Sequence, residues 1–126
     1  MAGIYEIFVT TQFAAAHSLP GYPGNCARLH GHNWKIEVSV RSKELNGLGI
    51  ALDFGRLEAG IQEILQELDH YNLNDLPAFK EANPTAENLA RFLYEELSQR
   101  LNSEVLQVSK VKVSETSGVG AIYWEE

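Results

Sequence analysis

The sequence predicts an α+β fold in which a four-stranded antiparallel sheet carries two helices on one face. Segments near both ends alternate apolar and polar residues, and two central segments repeat apolar residues every 3.6 positions. The predicted element order is therefore ββααββ. At 126 residues, with 44% apolar and 21% charged side chains, the chain fits one globular domain, which we expect to span residues 1–126.

The first two predicted strands flank a loop. The clearest strand covers residues 32–41, and its inward face holds one histidine and four apolar side chains: His32, Trp34, Ile36, Val38 and Val40. Residues 4–17 alternate less cleanly, and their inward face ends at His17 if no bulge intervenes. Between the strands, residues 20–25 are rich in Pro and Gly, which predicts a loop that places Cys26 at the mouth of a site.

Two amphipathic segments predict the helices. Asp53 caps the first helix, which we expect to end near Asp69 and His70; its apolar positions are Phe54, Leu57, Ile61, Ile64, Leu65 and Leu68. The second begins around residues 83–85, with proline in its first turn, and directs an apolar stripe inward: Leu89, Phe92, Leu93, Leu97 and Leu101. These stripes are typical of core packing.

A final hairpin completes the predicted sheet. Residues 105–115 and 119–124 form its strands, and Thr116-Ser117-Gly118 forms its turn. An open sheet of four strands leaves two edges and one face exposed, which proteins commonly cover by association. The fold therefore predicts a homo-oligomer.

Charge and cysteine content narrow the class of partner. Ten basic and 17 acidic side chains give a net charge of −7, which argues against nucleic acid or an anionic membrane as the main partner. A single cysteine excludes an internal disulfide and fits a reducing compartment. The first residues lack the basic start of a signal peptide, so we expect a cytoplasmic protein.

Three of the four histidines predict a metal site. His30 and His32 lie two apart on a strand, so both imidazoles point to one face, and His17 reaches them from the preceding strand. Three protein ligands with a fourth position open are typical of catalytic zinc. A single histidine would be read as an ordinary half-buried residue; three that converge beside a cysteine favour a metal centre.

Four further side chains are candidates for chemistry, each with a plainer alternative. A thiolate at Cys26 near a cation serves as base or nucleophile, unless the cysteine is buried and inert. Asp69 can orient the imidazole of His70, or this pair can merely close the first helix. Glu115 continues the apolar face of the third strand and either accepts two N–H groups of a ligand or forms a salt bridge at the hairpin end.

The chain resembles the 6-pyruvoyltetrahydropterin synthase family over nearly its whole length, and within it the bacterial branch that forms 6-carboxytetrahydropterin. The order and spacing of several segments carry this resemblance: residues 13–17, 26–32, 68–70, 72–75, 83–88 and 114–116. The resemblance implies the T-fold, in which ββααββ subunits join their sheets into a barrel around a pore, commonly as a hexamer of two trimers.

The resemblance also implies roles for individual residues. The implied ligands of Zn²⁺ are His17, His30 and His32. The implied proton-transfer residues are Cys26, which abstracts a proton, and the relay pair Asp69 and His70. The implied pterin contacts are Glu115, which anchors the ring, and Thr85 and Glu87, which line the pocket from an adjoining subunit.

The implied substrate is a small molecule, 7,8-dihydroneopterin triphosphate, and the implied reaction is that of a zinc-dependent lyase in queuosine biosynthesis. The products are 6-carboxy-5,6,7,8-tetrahydropterin, acetaldehyde and triphosphate. Three residues separate Cys26 from His30, a spacing of the carboxy-forming members. Triphosphate elimination alone, giving 6-pyruvoyltetrahydropterin, and a non-catalytic pterin- or zinc-binding module are the alternatives. Arg28 and Lys35 are candidates for holding the triphosphate and are equally consistent with solvated surface charges.

Overall fold

The computed structural model describes residues 3–126, so Met1 and Ala2 of the predicted domain lie outside the described residues. The strands and helices follow the predicted order: β1 Tyr5–His17, β2 His30–Ser42, α1 Phe54–Leu65, α2 Ala86–Leu101, β3 Leu106–Thr116 and β4 Val119–Tyr123. Short 3₁₀ helices occupy Asn25–Ala27, Leu73–Asp75 and Pro77–Phe79. The sheet is antiparallel with the order β1-β2-β3-β4. The predicted α+β class and ββααββ order are confirmed.

The β1–β2 pair is an unbroken ladder. Both strands are 13 residues long, and their pairs run without a register shift from Tyr5–Ser42 to His17–His30. β1 therefore contains no bulge, and its alternation carries through to His17. Opposed residues point to the same face of a sheet, so the ladder fixes which side chains meet.

The core lies between the inward face of the sheet and the two helices. Trp34, Ile36 and Val38 are fully buried there, as are the apolar residues of both helices that face them: Leu57, Ile61, Leu89, Leu93 and Leu97. Full burial of each such side chain contributes about 1.5–3 kcal/mol. The outward face is polar, with Lys35 and Lys112 exposed. None of the helices in the described residues combines the length and hydropathy that a membrane crossing needs.

The helix boundaries differ from those predicted. α1 ends at Leu65 rather than near Asp69 and His70, because the N–H groups of Glu67 and Leu68 bond to carbonyls three residues back and tighten the chain into turns. Phe54, at its first position, is 58% exposed and does not join the core stripe.

The second helix begins at Ala86, slightly later than the predicted start around residues 83–85. Thr85 is the N-cap, so Pro84 precedes α2 instead of lying in its first turn. Pro84 is buried, and its carbonyl oxygen is free for a partner outside the helix.

The segment that follows α1 covers the last turn-proximal residues of one sheet edge, around Ala14 and Ala16 of β1. His70 N–H donates to the Ala14 carbonyl (2.5 Å), Ala16 N–H donates to the Tyr71 carbonyl (3.0 Å), and Asn72 bridges to Ala16 in parallel. The expectation of a fully open first edge is therefore wrong for the end of β1. Residues 5–13 of β1 have no strand beyond them within the described part of the chain.

Candidate active site

The β1–β2 ladder brings three imidazoles together. His17 is paired with His30, and His32 is paired with Ala15, so all three histidines lie on the inward face at one end of the ladder. Their ring centroids are 4.5–5.1 Å apart, and one nitrogen from each lies within 4.8 Å of the other two. The predicted convergence of His17, His30 and His32 is observed.

Backbone carbonyls fix two of these rings. Nδ1 of His17 donates to the carbonyl of Pro84, and Nδ1 of His30 donates to the carbonyl of Arg28, each at 2.7 Å. A carbonyl accepts only, so Nδ1 carries the proton and Nε2 keeps its lone pair. This is the arrangement by which proteins orient histidine ligands of metals.

Two buried nitrogens of the cluster lack hydrogen-bond partners within residues 3–126. They are Nε2 of His17, a fully buried residue, and Nε2 of His32. A buried polar atom without a partner is costly, and such atoms are rare unless a ligand satisfies them. Three imidazoles that share one small space therefore fit a divalent ion of the zinc type.

Burial also keeps the imidazoles in the form that binds metal. Loss of hydration lowers the pKa of His17 and His32 below the usual value of 6.5, and the neighbouring His30 lowers both further. Against this, the Pro84 carbonyl raises the pKa of His17, and the Glu115 carboxylate raises that of His32. The net shift favours neutral rings at pH 7.

Trp34 forms the inner wall of the cluster. Its ring meets those of His17 and His32 edge-on at centroid distances of 4.8 and 5.1 Å, and its Nε1–H donates to the Ala15 carbonyl at 3.2 Å. The side chain is fully buried. This wall limits rotation of the two imidazoles and separates them from the aliphatic core.

Glu115 reaches the cluster from β3. One of its carboxylate oxygens, Oε2, lies 3.7 Å from Nε2 of His32, and the two side chains are 31% and 16% exposed. That distance is too long for a hydrogen bond, so the carboxylate is close to the imidazole while its lone pairs remain available. Glu115 stands outside the β3–β4 ladder, because Ser114 pairs with Gly120 and Thr116 with Val119.

Cys26 is exposed and lies in the first 3₁₀ helix. Its carbonyl accepts from the N–H of Leu19 at 3.0 Å, which closes the loop between β1 and β2. The alternative of a buried cysteine is therefore wrong. Its sulfur is not part of the cluster of potential ligand atoms found in the described residues.

Asp69 and His70 form a pair beside the edge of β1 that faces away from β2. Asp69 Oδ2 lies 3.0 Å from Nδ1 of His70, and Oδ1 accepts from the N–H of Ala14 at 2.9 Å. The hydrogen bond from Ala14 lowers the pKa of Asp69 most; partial loss of hydration opposes this, and the hydrogen bond and electrostatic interaction with His70 lower the pKa further. Because α1 ends at Leu65, this pair does not cap it.

The backbone holds His70 in an uncommon conformation. Its φ of +65° lies in the left-handed region, and its side chain is 80% exposed. The imidazole borders an open depression of about 500 Å³ that is also lined by Ala14, Gly31, His32 and Tyr71. An exposed histidine oriented by a carboxylate is suited to proton transfer.

The remaining predicted residues do not join the cluster within this chain. Thr85 Oγ1 accepts from Asn88 N–H (3.1 Å) as the cap of α2, and Glu87 is exposed in the first turn of that helix. Arg28 is exposed, and Lys35 lies on the outward face of the sheet, opposite the histidines.

Two supporting residues had no predicted role. Asn74 binds the backbone just after β1 through two hydrogen bonds: its Oδ1 accepts from Ser18 N–H (2.9 Å), and its Nδ2 donates to the Ser18 carbonyl (3.0 Å). The sequence points to Asn74 through its place in residues 72–75, one of the segments that carry the family resemblance. Pro84 acts through its carbonyl, which side-chain patterns do not reveal.

Comparison with known proteins gives consistent matches. A family model described as 6-pyruvoyl tetrahydropterin synthase matches residues 6–126. A putative 6-carboxy-5,6,7,8-tetrahydropterin synthase of Archaeoglobus fulgidus is 35% identical over 109 residues, 86% of each chain. The 6-carboxy-5,6,7,8-tetrahydropterin synthase of Synechocystis is 34% identical over 126 residues, 96% of this chain and 94% of that one.

Relatives with a different product name also match. The human 6-pyruvoyl tetrahydrobiopterin synthase is 36% identical over 96 residues, 75% of this chain and 65% of its own length. The solved structure of Caenorhabditis elegans 6-pyruvoyl tetrahydropterin synthase superposes with a TM-score of 0.87 at 27% identity, covering 98% of this chain and 97% of that chain.

Proposed function

Because the chain belongs to the 6-pyruvoyltetrahydropterin synthase family, we propose that it is a zinc-dependent lyase that forms 6-carboxy-5,6,7,8-tetrahydropterin. The substrate is 7,8-dihydroneopterin triphosphate, and acetaldehyde and triphosphate are released, as a step of queuosine biosynthesis. The observation that carries this proposal is the cluster of His17, His30 and His32, with two buried nitrogens that await a ligand. The relatives from Archaeoglobus and Synechocystis support the carboxy-forming branch.

The three imidazoles hold the ion. His17 and His30 present Nε2 because carbonyls retain the proton on Nδ1, and Trp34 restricts the rings that it touches. When bound, Zn²⁺ supplies Lewis acidity to the side-chain oxygens of the substrate. The three histidines leave the remaining coordination position to substrate or water.

Glu115 orients the pterin ring. A carboxylate accepts two hydrogen bonds side by side, which matches the adjacent amino and ring N–H groups of a pterin. Its position 3.7 Å from the His32 imidazole supports a ring anchor beside the proposed metal ligands.

Cys26 and the Asp69–His70 pair move protons. The exposed thiol takes a proton from the substrate side chain, for which it must lose its own. Asp69 accepts from Nδ1–H of His70, so the Nε2 of His70 is the nitrogen that exchanges protons. Both Cys26 and His70 face solvent, and substrate has access to each.

A homo-oligomer built from trimers, most simply a hexamer, completes the proposed site. Thr85 and Glu87 do not meet the histidines of their own chain, and in the proposed assembly they line the pocket of an adjoining subunit. The proposed enzyme is cytoplasmic and acts on a small molecule. Neither nucleic acid nor a membrane is proposed as a partner, given the net charge of −7.

A second candidate is triphosphate elimination alone, giving 6-pyruvoyltetrahydropterin, which the match to the human relative favours. Product analysis separates the two. Incubation with 7,8-dihydroneopterin triphosphate followed by mass spectrometry should show the carboxylated pterin together with acetaldehyde. Accumulation of a stable pyruvoyl product would contradict the carboxy-forming assignment.

The Cys26→Ala variant separates an enzyme from a binding module. We expect turnover to fall by at least about 100-fold, the usual scale for loss of a general base. Bound zinc should remain, because the sulfur lies outside the imidazole cluster. Lys80→Ala is the control, at an exposed position whose side chain makes no hydrogen bond or ion pair within residues 3–126. Full turnover by the Cys26 variant would show that the thiol is not catalytic.

A further inference from the structure

We propose that Gly120 is a positioning residue for Glu115 and thereby sets the affinity of the site for the pterin ring. This inference rests on the proposed function, in which Glu115 anchors the pterin. Gly120 lies on β4 and belongs to neither the metal cluster nor the proton-transfer residues.

The β3–β4 ladder contains a bulge at Glu115, a residue of β3 that has no partner on β4. Ser114 pairs with Gly120 and Thr116 with Val119, so two steps along β3 oppose one step along β4. The extra residue is Glu115. The bulge releases Glu115 from pairing with β4, while alternation along β3 keeps its side chain on the inward face, where the carboxylate lies 3.7 Å from the imidazole of His32.

The bulge leaves no room for a side chain on the opposite strand. A Cβ atom at Gly120 would lie 2.8 Å from Ser114 Cα and 2.9 Å from Ser114 Oγ, and it would overlap the carbonyl oxygen of Val113. Two of these three obstacles are backbone, which cannot swing aside. Gly120 is itself exposed, so packing in the core does not account for the glycine. The close approach of β4 to the bulge accounts for the glycine.

Any side chain at position 120 must separate β4 from residues 113–114 and so displaces the end of β3 immediately before Glu115. The resulting shift would carry the Glu115 carboxylate out of register with the histidines. Hydrogen bonds tolerate only a few tenths of an ångström in distance, so a paired contact with two N–H groups is sensitive to such a shift. The metal ligands lie on the β1–β2 ladder and should be unaffected.

The test measures binding of neopterin, a fluorescent pterin without phosphates, to the zinc-loaded protein by fluorescence titration. We expect Gly120→Ala to raise the Kd at least tenfold and to approach the Kd of Glu115→Ala, while zinc content stays at the wild-type level. In turnover assays, KM should rise more than kcat falls.

Two glycine variants serve as controls. Gly118→Ala alters the same hairpin and is strained by a φ of +92°, but a Cβ there meets nothing within 4 Å. Gly60→Ala makes the same change in α1, also in open space. Both should bind neopterin as the wild type does. If Gly118→Ala weakens binding as much as Gly120→Ala, hairpin stability is responsible and the inference is overturned.

A conservative change in Glu115 keeps the inference testable if Gly120→Ala does not fold. Glu115→Asp retains the charge but withdraws the carboxylate by one methylene, so we expect it to bind neopterin nearly as weakly as Glu115→Ala; wild-type affinity would overturn the inference. If Glu115→Ala itself binds normally, the proposed anchor fails together with this inference. If Glu115→Ala loses binding and Gly120→Ala does not, only this inference fails.

Discussion

Replacing Asn74 with alanine should destabilise the metal-free protein by about 2 kcal/mol. The side chain makes two hydrogen bonds to the backbone of Ser18, at 2.9 and 3.0 Å, and both are partly buried. Each such bond contributes about 0.5–1.5 kcal/mol net, so their sum is about 1–3 kcal/mol. For a chain of this size the melting temperature should fall by roughly 4–10 °C.

Asn46→Ala is the matched control for that substitution. The Asn46 carboxamide oxygen also accepts two backbone hydrogen bonds, from Leu48 and Ile50 at 2.9 and 3.1 Å, but in an exposed loop. Water can replace both bonds, so we expect a loss below about 1 kcal/mol. Urea unfolding of the two variants, in chelator, measures the difference.

Asn74→Ala also tests how β1 is held beside the three histidines. Ser18 follows His17 directly, so release of Ser18 should also loosen the histidine, and we expect zinc affinity to fall by about tenfold, the lower end of the range for supporting residues of metal sites. Equal stability losses for Asn74→Ala and Asn46→Ala, with unchanged zinc affinity in both, would refute the assigned role of Asn74.

Three further predictions concern the site itself. His32→Ala should lower zinc affinity by more than about 100-fold in a competition assay with a chromophoric chelator, whereas His70→Ala should not; equal losses would refute the assigned ligand set. Because burial lowers the pKa of His17 and His32, the unfolded chain takes up protons first, and metal-free stability should fall as pH drops below about 6.5, by at most about 1.4 kcal/mol per pH unit for each group. Urea unfolding at pH 7.5 and 5.5 checks this, and equal stabilities would contradict it. Asp69→Asn keeps an oxygen for the Ala14 N–H, so stability should change little while kcat falls; an unchanged kcat would exclude Asp69 from the relay.

The sequence predicts the convergence of the three histidines well because it depends on strand parity. Alternation through Trp34 and Ile36 places His32 on the inward face, and the same rule applies to His17 once β1 proves to be free of bulges. Parity is a local property that side-chain patterns record directly.

What the sequence does not reveal depends on backbone groups and distant partners. The carbonyl that orients His17 belongs to Pro84, 67 residues along the chain, and any residue type offers a carbonyl. The bulge at Glu115 follows from a close approach of Gly120 that only the paired strands make visible. The early end of α1 depends on the docking of residues 69–74 against β1, which helical periodicity does not report.

The loop between β1 and β2, residues 18–29, starts and finishes at positions that face each other across the sheet. With both ends clamped, its length and composition can drift during evolution without moving the imidazoles. Cys26, which lies in this loop, can therefore be replaced by another residue while the three histidines keep their positions. Divergence of chemistry on this architecture is easiest through the side chain that the loop presents, while the strands hold the three histidines in place.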